Sequence, residues 1–133
     1  MYSFSTTVRL HHTDAAGILF FANLFIIAHE CYETFLDPEV NFYFMFNEKE
    51  LMMPIVHAGA DYLKPLRVSD KININLRLGN IGDSSFSLEY EVLTEDGEIA
   101  ATVKTSHVVR KKDGSATVSL PAVLREKLES LKQ

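Results

Sequence analysis

The chain is poor in cysteine. Cys31 is the only one in 133 residues, which excludes an intrachain disulfide framework and a cysteine-rich zinc site. Positive charge is not in excess either: 13 basic residues against 18 acidic ones leave a net charge of −5. Nucleic-acid footprints are normally basic, so nucleic acid is not expected as a partner. A local basic pocket for a small anion stays compatible with that balance. No run of about 18 apolar residues occurs, so no spanning helix and no membrane partner are expected. Met1-Tyr2-Ser3-Phe4-Ser5 lacks a basic n-region followed by an apolar h-region, and a cytoplasmic protein is the expectation. Also missing are a P-loop, a Gly-x-Gly-x-x-Gly, a His-Glu-x-x-His and a Gly-x-Ser-x-Gly. His11, His12, His29, His57 and His107 show no metal-ligand spacing, so neither a metal nor a cofactor is expected.

What is present reads as an ordinary globular chain. Apolar residues make up 47% and charged residues 23%, close to globular averages, which argues against disorder. No linker, repeat or low-complexity segment divides it, so one domain over residues 1–133 is expected. Phe4, Thr6, Val8 and Leu10 alternate with Ser5, Thr7, Arg9 and His11. That period of two predicts a half-buried strand, with His11 and His12 on opposite sides. The pattern breaks at His12-Thr13-Asp14-Ala15-Ala16-Gly17, an irregular turn. From Asn23 to Leu36, Leu24, Ala28, Cys31 and Phe35 recur at helical spacing, and Phe25 and Tyr32 widen the stripe. So apolar a helix is expected to be covered on more than one side. Asp37-Pro38 ends it.

Residues 39–53 carry the aromatic run Phe42 to Phe46, which fits core filling, a short helix or a lid. Beyond it, Ile55–Leu63, Lys71–Leu78, Ser85–Val92 and Ile99–Val109 read as strands, with Asp96-Gly97 as a hairpin turn and Asp113-Gly114 as another. Pro121 opens a terminal helix reaching Leu131. Segregated elements of this kind predict an α+β fold, a long antiparallel sheet curled around one central apolar helix. Its edge strands are left open to a second subunit.

Asp14 is the sharpest candidate for chemistry. It precedes a glycine turn and the run Ile18-Leu19-Phe20, where a packed segment would solvate a carboxylate poorly. Such an aspartate can serve as base or nucleophile. The helix beyond it offers free N–H groups and a positive dipole end, suited to an oxyanion. Asp14 as a simple turn cap is the other reading.

The run Val8-Arg9-Leu10-His11-His12-Thr13-Asp14-Ala15-Ala16-Gly17-Ile18-Leu19-Phe20-Phe21-Ala22-Asn23 resembles the signature of hotdog-fold acyl-CoA thioesterases of the 4-hydroxybenzoyl-CoA thioesterase type. His12 stands where that signature has its first acid. Pro65-Leu66-Arg67-Val68-Ser69-Asp70 resembles the family's Pro-x-x-x-Gly-Asp turn, with Ser69 in place of glycine. The segments His29-Glu30-Cys31-Tyr32-Glu33 and Pro54-Ile55-Val56-His57-Ala58-Gly59 resemble the 1,4-dihydroxy-2-naphthoyl-CoA thioesterase branch. The resemblance implies a hotdog fold and hydrolysis of an aromatic acyl-CoA on the route to menaquinone or phylloquinone. It makes Asp14 the catalytic carboxylate and the Phe21 backbone N–H the oxyanion donor. Gly17, Glu30, Tyr32 and His57 would line the substrate pocket, and Glu30 is the alternative acid. It further implies a homodimer or homotetramer with active sites at the dimer interface.

Coenzyme A brings phosphates, which need cations. Lys64 and Arg67 flank Pro65, and Arg110-Lys111-Lys112 ends the long strand; these are the candidates for phosphate contact. Solvated strand-end charge is the competing reading. An aliphatic acyl-CoA or acyl-carrier-protein thioesterase, and a non-catalytic acyl-binding module, are the alternative functions.

Overall fold

The computed structural model describes residues 1–132; Gln133, the last residue of the expected domain, lies outside them. The elements run β1 (Tyr2–Thr7), α1 (Asn23–Leu36), β2 (Leu51–Met52), β3 (Ile55–Tyr62), β4 (Lys71–Ile81), β5 (Ser85–Thr94), β6 (Ile99–Val108), β7 (Arg110–Lys111) and α2 (Ala122–Glu129). Five strands form one antiparallel sheet in the order β1-β4-β5-β6-β3. β2 and β7 form a separate pair.

The sheet curls around α1, as its patterning predicts. Alternation puts Ile72, Ile74 and Leu76 of β4, Leu88, Tyr90 and Val92 of β5, and Ala101 and Val103 of β6 on one face, all buried. The register brings Leu76, Tyr90, Val103 and Ala60 side by side on that face. Leu24, Ile27, Ala28, Cys31, Phe35 and Leu36 of α1 join them in one apolar cluster, and Leu124 and Leu128 of α2 close it. Burying such side chains gives roughly 1.5–3 kcal/mol each, which makes this contact the main driving force of the fold. The opposite face of the sheet is polar, with Asn73, Asn75, Arg77, Glu89, Thr102 and Lys104.

Gly97 and Ser69 stand at turns that need glycine or its substitute. Gly97 (φ +86°) closes the β5–β6 hairpin, where Asp96-Gly97 predicts it. Ser69 sits at φ +75°, which explains glycine in the family's version of this turn. An L side chain there is strained by about 1–2 kcal/mol. Gly79 answers a different need, close approach: a Cβ would lie 2.5 Å from Ser87 Oγ, the atom that accepts the Asn80 N–H at 2.8 Å.

The first strand is shorter than its alternation predicts. It ends at Thr7, and Leu10–His12 form a 3₁₀ turn. The cause is a change of partner. Val8 exchanges backbone bonds with Asp70 and Ser69 instead of continuing along β4. His11 and His12 therefore do not alternate across a strand. His11 is exposed, His12 is buried, and their rings lie 4.2 Å apart. In the aromatic run, Met45 is buried and Phe42 and Phe46 pack on the core, whereas Tyr43 and Phe44 face outward. That segment turns as a short π-helix over Phe44–Glu48.

Candidate active site

Asp14 stands on a miniature hairpin. Thr13 bridges to Leu19, the Asp14 N–H donates to the Ile18 carbonyl (2.9 Å), and the Gly17 N–H donates to the Asp14 carbonyl (3.0 Å). Gly17 has φ +74°, a conformation that favours glycine. The Asp14 carboxylate accepts, at Oδ1, the N–H groups of Ala16 (2.8 Å) and Ile18 (3.2 Å). The turn-cap reading and the chemical reading therefore coexist: one oxygen is held by the turn, which fixes the direction of the other. Asp14 is exposed in the single chain, against the expectation of a poorly solvated carboxylate. The reason is that Asp14-Ala15-Ala16 form the hairpin tip, which projects from the core instead of packing on it.

The return arm of the hairpin leads straight to α1. The Phe20 N–H donates to the His12 carbonyl (3.0 Å), and the Asn23 side-chain amide donates to the same oxygen (2.8 Å). Phe21 follows in the turn that opens the helix, and its N–H has no partner among the described residues. Free N–H groups at a helix start carry partial positive charge. The hairpin is braced from outside by residues 66–68: the Leu19 N–H donates to the Leu66 carbonyl (2.7 Å) and the Val68 N–H to the Gly17 carbonyl (2.9 Å). This brings Arg67 into a bridge with Ile18.

The other expected pocket residues separate. Glu30 lies exposed on α1. Tyr32 is buried, with its hydroxyl donating to Met53 Sδ (3.6 Å). His57 pairs with Ser106 and so points to the polar outer face of its own sheet, away from α1. Of the expected phosphate contacts, Lys64 is paired with Glu98, Arg110 donates to the Gly114 carbonyl (3.2 Å), and Lys112 donates to the Phe46 carbonyl (3.0 Å). Arg67 and Lys111 are exposed. Cys31 is buried and its thiol is pushed up to about 12 by burial, so it is no nucleophile at neutral pH.

Periodicity alone gave no reason to single out His12 and His107, both buried. His12 Nδ1 accepts the Arg9 N–H (2.9 Å), which puts its proton on Nε2. Burial and the adjacent His11 hold its pKa below the ordinary histidine range. His107, only 1% exposed, lies between Phe86 (4.7 Å, stacked) and Tyr32 (4.8 Å). Its Nε2 meets Thr105 Oγ1 at 2.8 Å, and Thr105 meets the Tyr90 hydroxyl at 3.2 Å.

Burial lowers the His107 pKa to about 4. The unfolded chain binds this proton near pH 6.5 and the native chain only near pH 4, so stability falls as pH drops through that window. Between pH 6.5 and 5 the expected loss is about 2 kcal/mol. Urea unfolding at both pH values, compared with His107→Leu, checks it: the variant loses that part of the acid dependence.

Comparison with known proteins identifies the family. The sequence profile of the thioesterase-like superfamily matches residues 8–128. The chain belongs to this superfamily. Among its relatives, the 1,4-dihydroxy-2-naphthoyl-CoA hydrolase of Gloeothece citriformis is 40% identical over 111 residues, covering 81% of this chain and 78% of its own. The hydrolase of the same name from Nostoc punctiforme is 35% identical, covering 97% and 87%. The crystal structure of a 1,4-dihydroxy-2-naphthoyl-CoA thioesterase from Synechocystis superposes with a TM-score of 0.92 at 25% identity, covering 99% of this chain and 98% of that one. The hotdog thioesterase fold expected from the Asp14 run is thus the fold of this member of the superfamily.

Proposed function

We propose that this thioesterase hydrolyses 1,4-dihydroxy-2-naphthoyl-CoA to the free acid and coenzyme A. The curated relatives named for that reaction support the substrate. The observation that carries the chemistry is the Asp14 hairpin, whose return arm delivers the unpartnered Phe21 N–H at the start of α1. Asp14 activates water or attacks the carbonyl carbon itself. The carbonyl oxygen takes up negative charge and is held by the Phe21 N–H. The C–S bond then breaks, and the thiolate of coenzyme A leaves and takes a proton; on the direct-attack route, water then hydrolyses the acyl–Asp14 anhydride, releasing the free acid and restoring the carboxylate. A donor aimed at such an oxygen is worth about 10²–10³ in rate.

The phosphates of coenzyme A are assigned to Arg67 first, because it is exposed and bridged to the site hairpin. Lys111 is second; Lys64, Arg110 and Lys112 would have to leave their present partners. Gly17, Glu30, Tyr32 and His57 remain the proposed pocket residues. The working unit is a dimer formed along β3, an open edge of the sheet that exposes Ile55 and Val56. Phe21, Tyr62 and Leu63 are exposed as well, and a second subunit would cover such a patch and dry the site. In that arrangement His57 reaches the partner's site instead of its own. The coenzyme A substrate fits the cytoplasmic location expected from the sequence.

Thiol release tests the substrate. With 1,4-dihydroxy-2-naphthoyl-CoA, 4-hydroxybenzoyl-CoA and palmitoyl-CoA, kcat/KM is expected to be highest for the first. Higher efficiency with palmitoyl-CoA overturns the aromatic assignment. No turnover with any of the three leaves an acyl-binding module.

A further inference from the structure

The His12 side chain lies buried at the root of the site hairpin, 4% exposed, and has no part in the chemistry assigned above. Its backbone is a crossbar. The His12 carbonyl accepts the Phe20 N–H of the return arm and the Asn23 side chain of the helix start, so both arms and α1 meet on one oxygen. The orientation of the Phe21 N–H does not depend on it, because the Phe20 carbonyl in the same peptide plane accepts the Asn23 N–H (2.9 Å). The outgoing arm does depend on it. The His12–Thr13 peptide plane is held at its N–H edge by the Leu10 carbonyl (3.0 Å), which also accepts the Thr13 hydroxyl (2.7 Å). Asp14 is the next residue.

The place of Leu10 is set by the turn over residues 9–12, and a reciprocal pair closes that turn. The His12 N–H donates to the Arg9 carbonyl (2.9 Å), and the Arg9 N–H donates to His12 Nδ1 (2.9 Å). The Arg9 N–H has no backbone partner among the described residues. Val8, just before it, is anchored: it is buried and bonded through both its backbone groups to the 69–70 turn. The imidazole therefore hooks the root of the Asp14 arm onto the anchored end of β1. Nδ1 can accept only while it carries no proton. Burial, with His11 beside it, keeps the ring neutral at pH 7. The proton then sits on Nε2, a buried atom with no partner among the described residues.

Resting on the catalytic role given above to Asp14, we infer that His12 is a positioning residue that, through Nδ1, holds the Asp14 arm in register with the Phe21 N–H. His12→Asn and His12→Gln separate the two ring nitrogens. Asparagine carries its amide oxygen at the position of Nδ1 and can still accept the Arg9 N–H. Glutamine carries its oxygen one bond farther out, at the position of Nε2. Both variants are measured on whichever of the three thioesters above is turned over fastest. A reacting geometry misplaced by 1 Å can cost about 10²-fold, and the loosened arm of His12→Gln is expected to cost about 10-fold in kcat with KM unchanged. His12→Asn is expected to keep kcat near the wild-type value, although its smaller side chain leaves a void and lowers the melting temperature further than glutamine does. A merely structural role predicts the reverse order, with activity following melting temperature. Equal kcat in the two variants, or the higher kcat in His12→Gln, overturns the hook. A raised KM with intact kcat in His12→Gln makes His12 a substrate contact and also overturns it. The tautomer is a second measurement that needs no variant. The imidazole nitrogen shifts in the NMR spectrum of the wild-type protein are expected to show a bare Nδ1 and a protonated Nε2 at pH 7, and a proton on Nδ1 overturns the proposal. Asp14→Asn measured alongside separates the two readings. If it is inactive while His12→Gln is normal, only the hook fails; if it is fully active, the assignment of Asp14 fails.

Discussion

Asp14→Asn is expected to lower kcat for 1,4-dihydroxy-2-naphthoyl-CoA by about 10²–10⁴-fold, the range of a positioned general base. If the carboxylate is the nucleophile, the loss is larger. The amide oxygen of asparagine can still accept the Ala16 and Ile18 N–H bonds that Asp14 Oδ1 accepts, so the hairpin survives. Substrate binding and melting temperature are therefore expected to change little. What disappears is the negative charge and the capacity to take a proton or form an acyl anhydride. Stopped-flow thiol release and a separate binding measurement check both halves. Near wild-type turnover would move the chemistry to Glu30, the other acid expected near the site.

In the dimer proposed along β3, Val56→Lys is expected to dissociate the subunits and remove most turnover with them. Val56 is 60% exposed at an irregularity in the edge strand β3, where the register shifts between Ile55 and His57. A twofold interface is isologous, so one substitution places two new charges across the same seam. Like charges brought together in an interface cost several kcal/mol, and dimerisation is expected to weaken by at least about 10²-fold. Sedimentation over a concentration series reads the association, and activity measured on the same samples reads its consequence. Loss of the dimer with full activity would mean that each chain carries a complete site. An unchanged dimer would put the seam elsewhere.

Much of the fold was legible in the chain. The period-two patterns of β4, β5 and β6 follow from sheets with one buried and one polar face, and the pairings respect them. The helix over Asn23–Leu36 was legible because its apolar spacing is long and the Asp37-Pro38 stop is sharp. The Asp14 turn was legible because glycine at positive φ and a short carboxylate are what such a turn requires. The end of β1 was not. Val8 and Leu10 keep the alternation in sequence, yet Val8 pairs with the 69–70 turn and Leu10 is 75% exposed. Alternation reports which side chains suit burial on one face; it does not report where a strand changes partner.

The solvation of Asp14 was out of reach for a related reason. Apolar neighbours in sequence imply burial only if their segment packs, and the hairpin tip projects. His57 illustrates the register problem: a bulge of one residue decides which face a side chain takes, and a sequence does not show it. The sequence by itself determined the class of fold and the superfamily, and it singled out the carboxylate to which we assign the chemistry, because local pattern and motif chemistry are written in neighbouring residues. Only the tertiary structure decided that the Phe21 N–H has no partner among the described residues, that Tyr62 from 41 residues away holds the Phe21 carbonyl, and that Arg67 is exposed beside the hairpin while Lys64 is paired with Glu98. Those facts depend on which groups already have partners, and partners far apart in the chain meet only once it has folded.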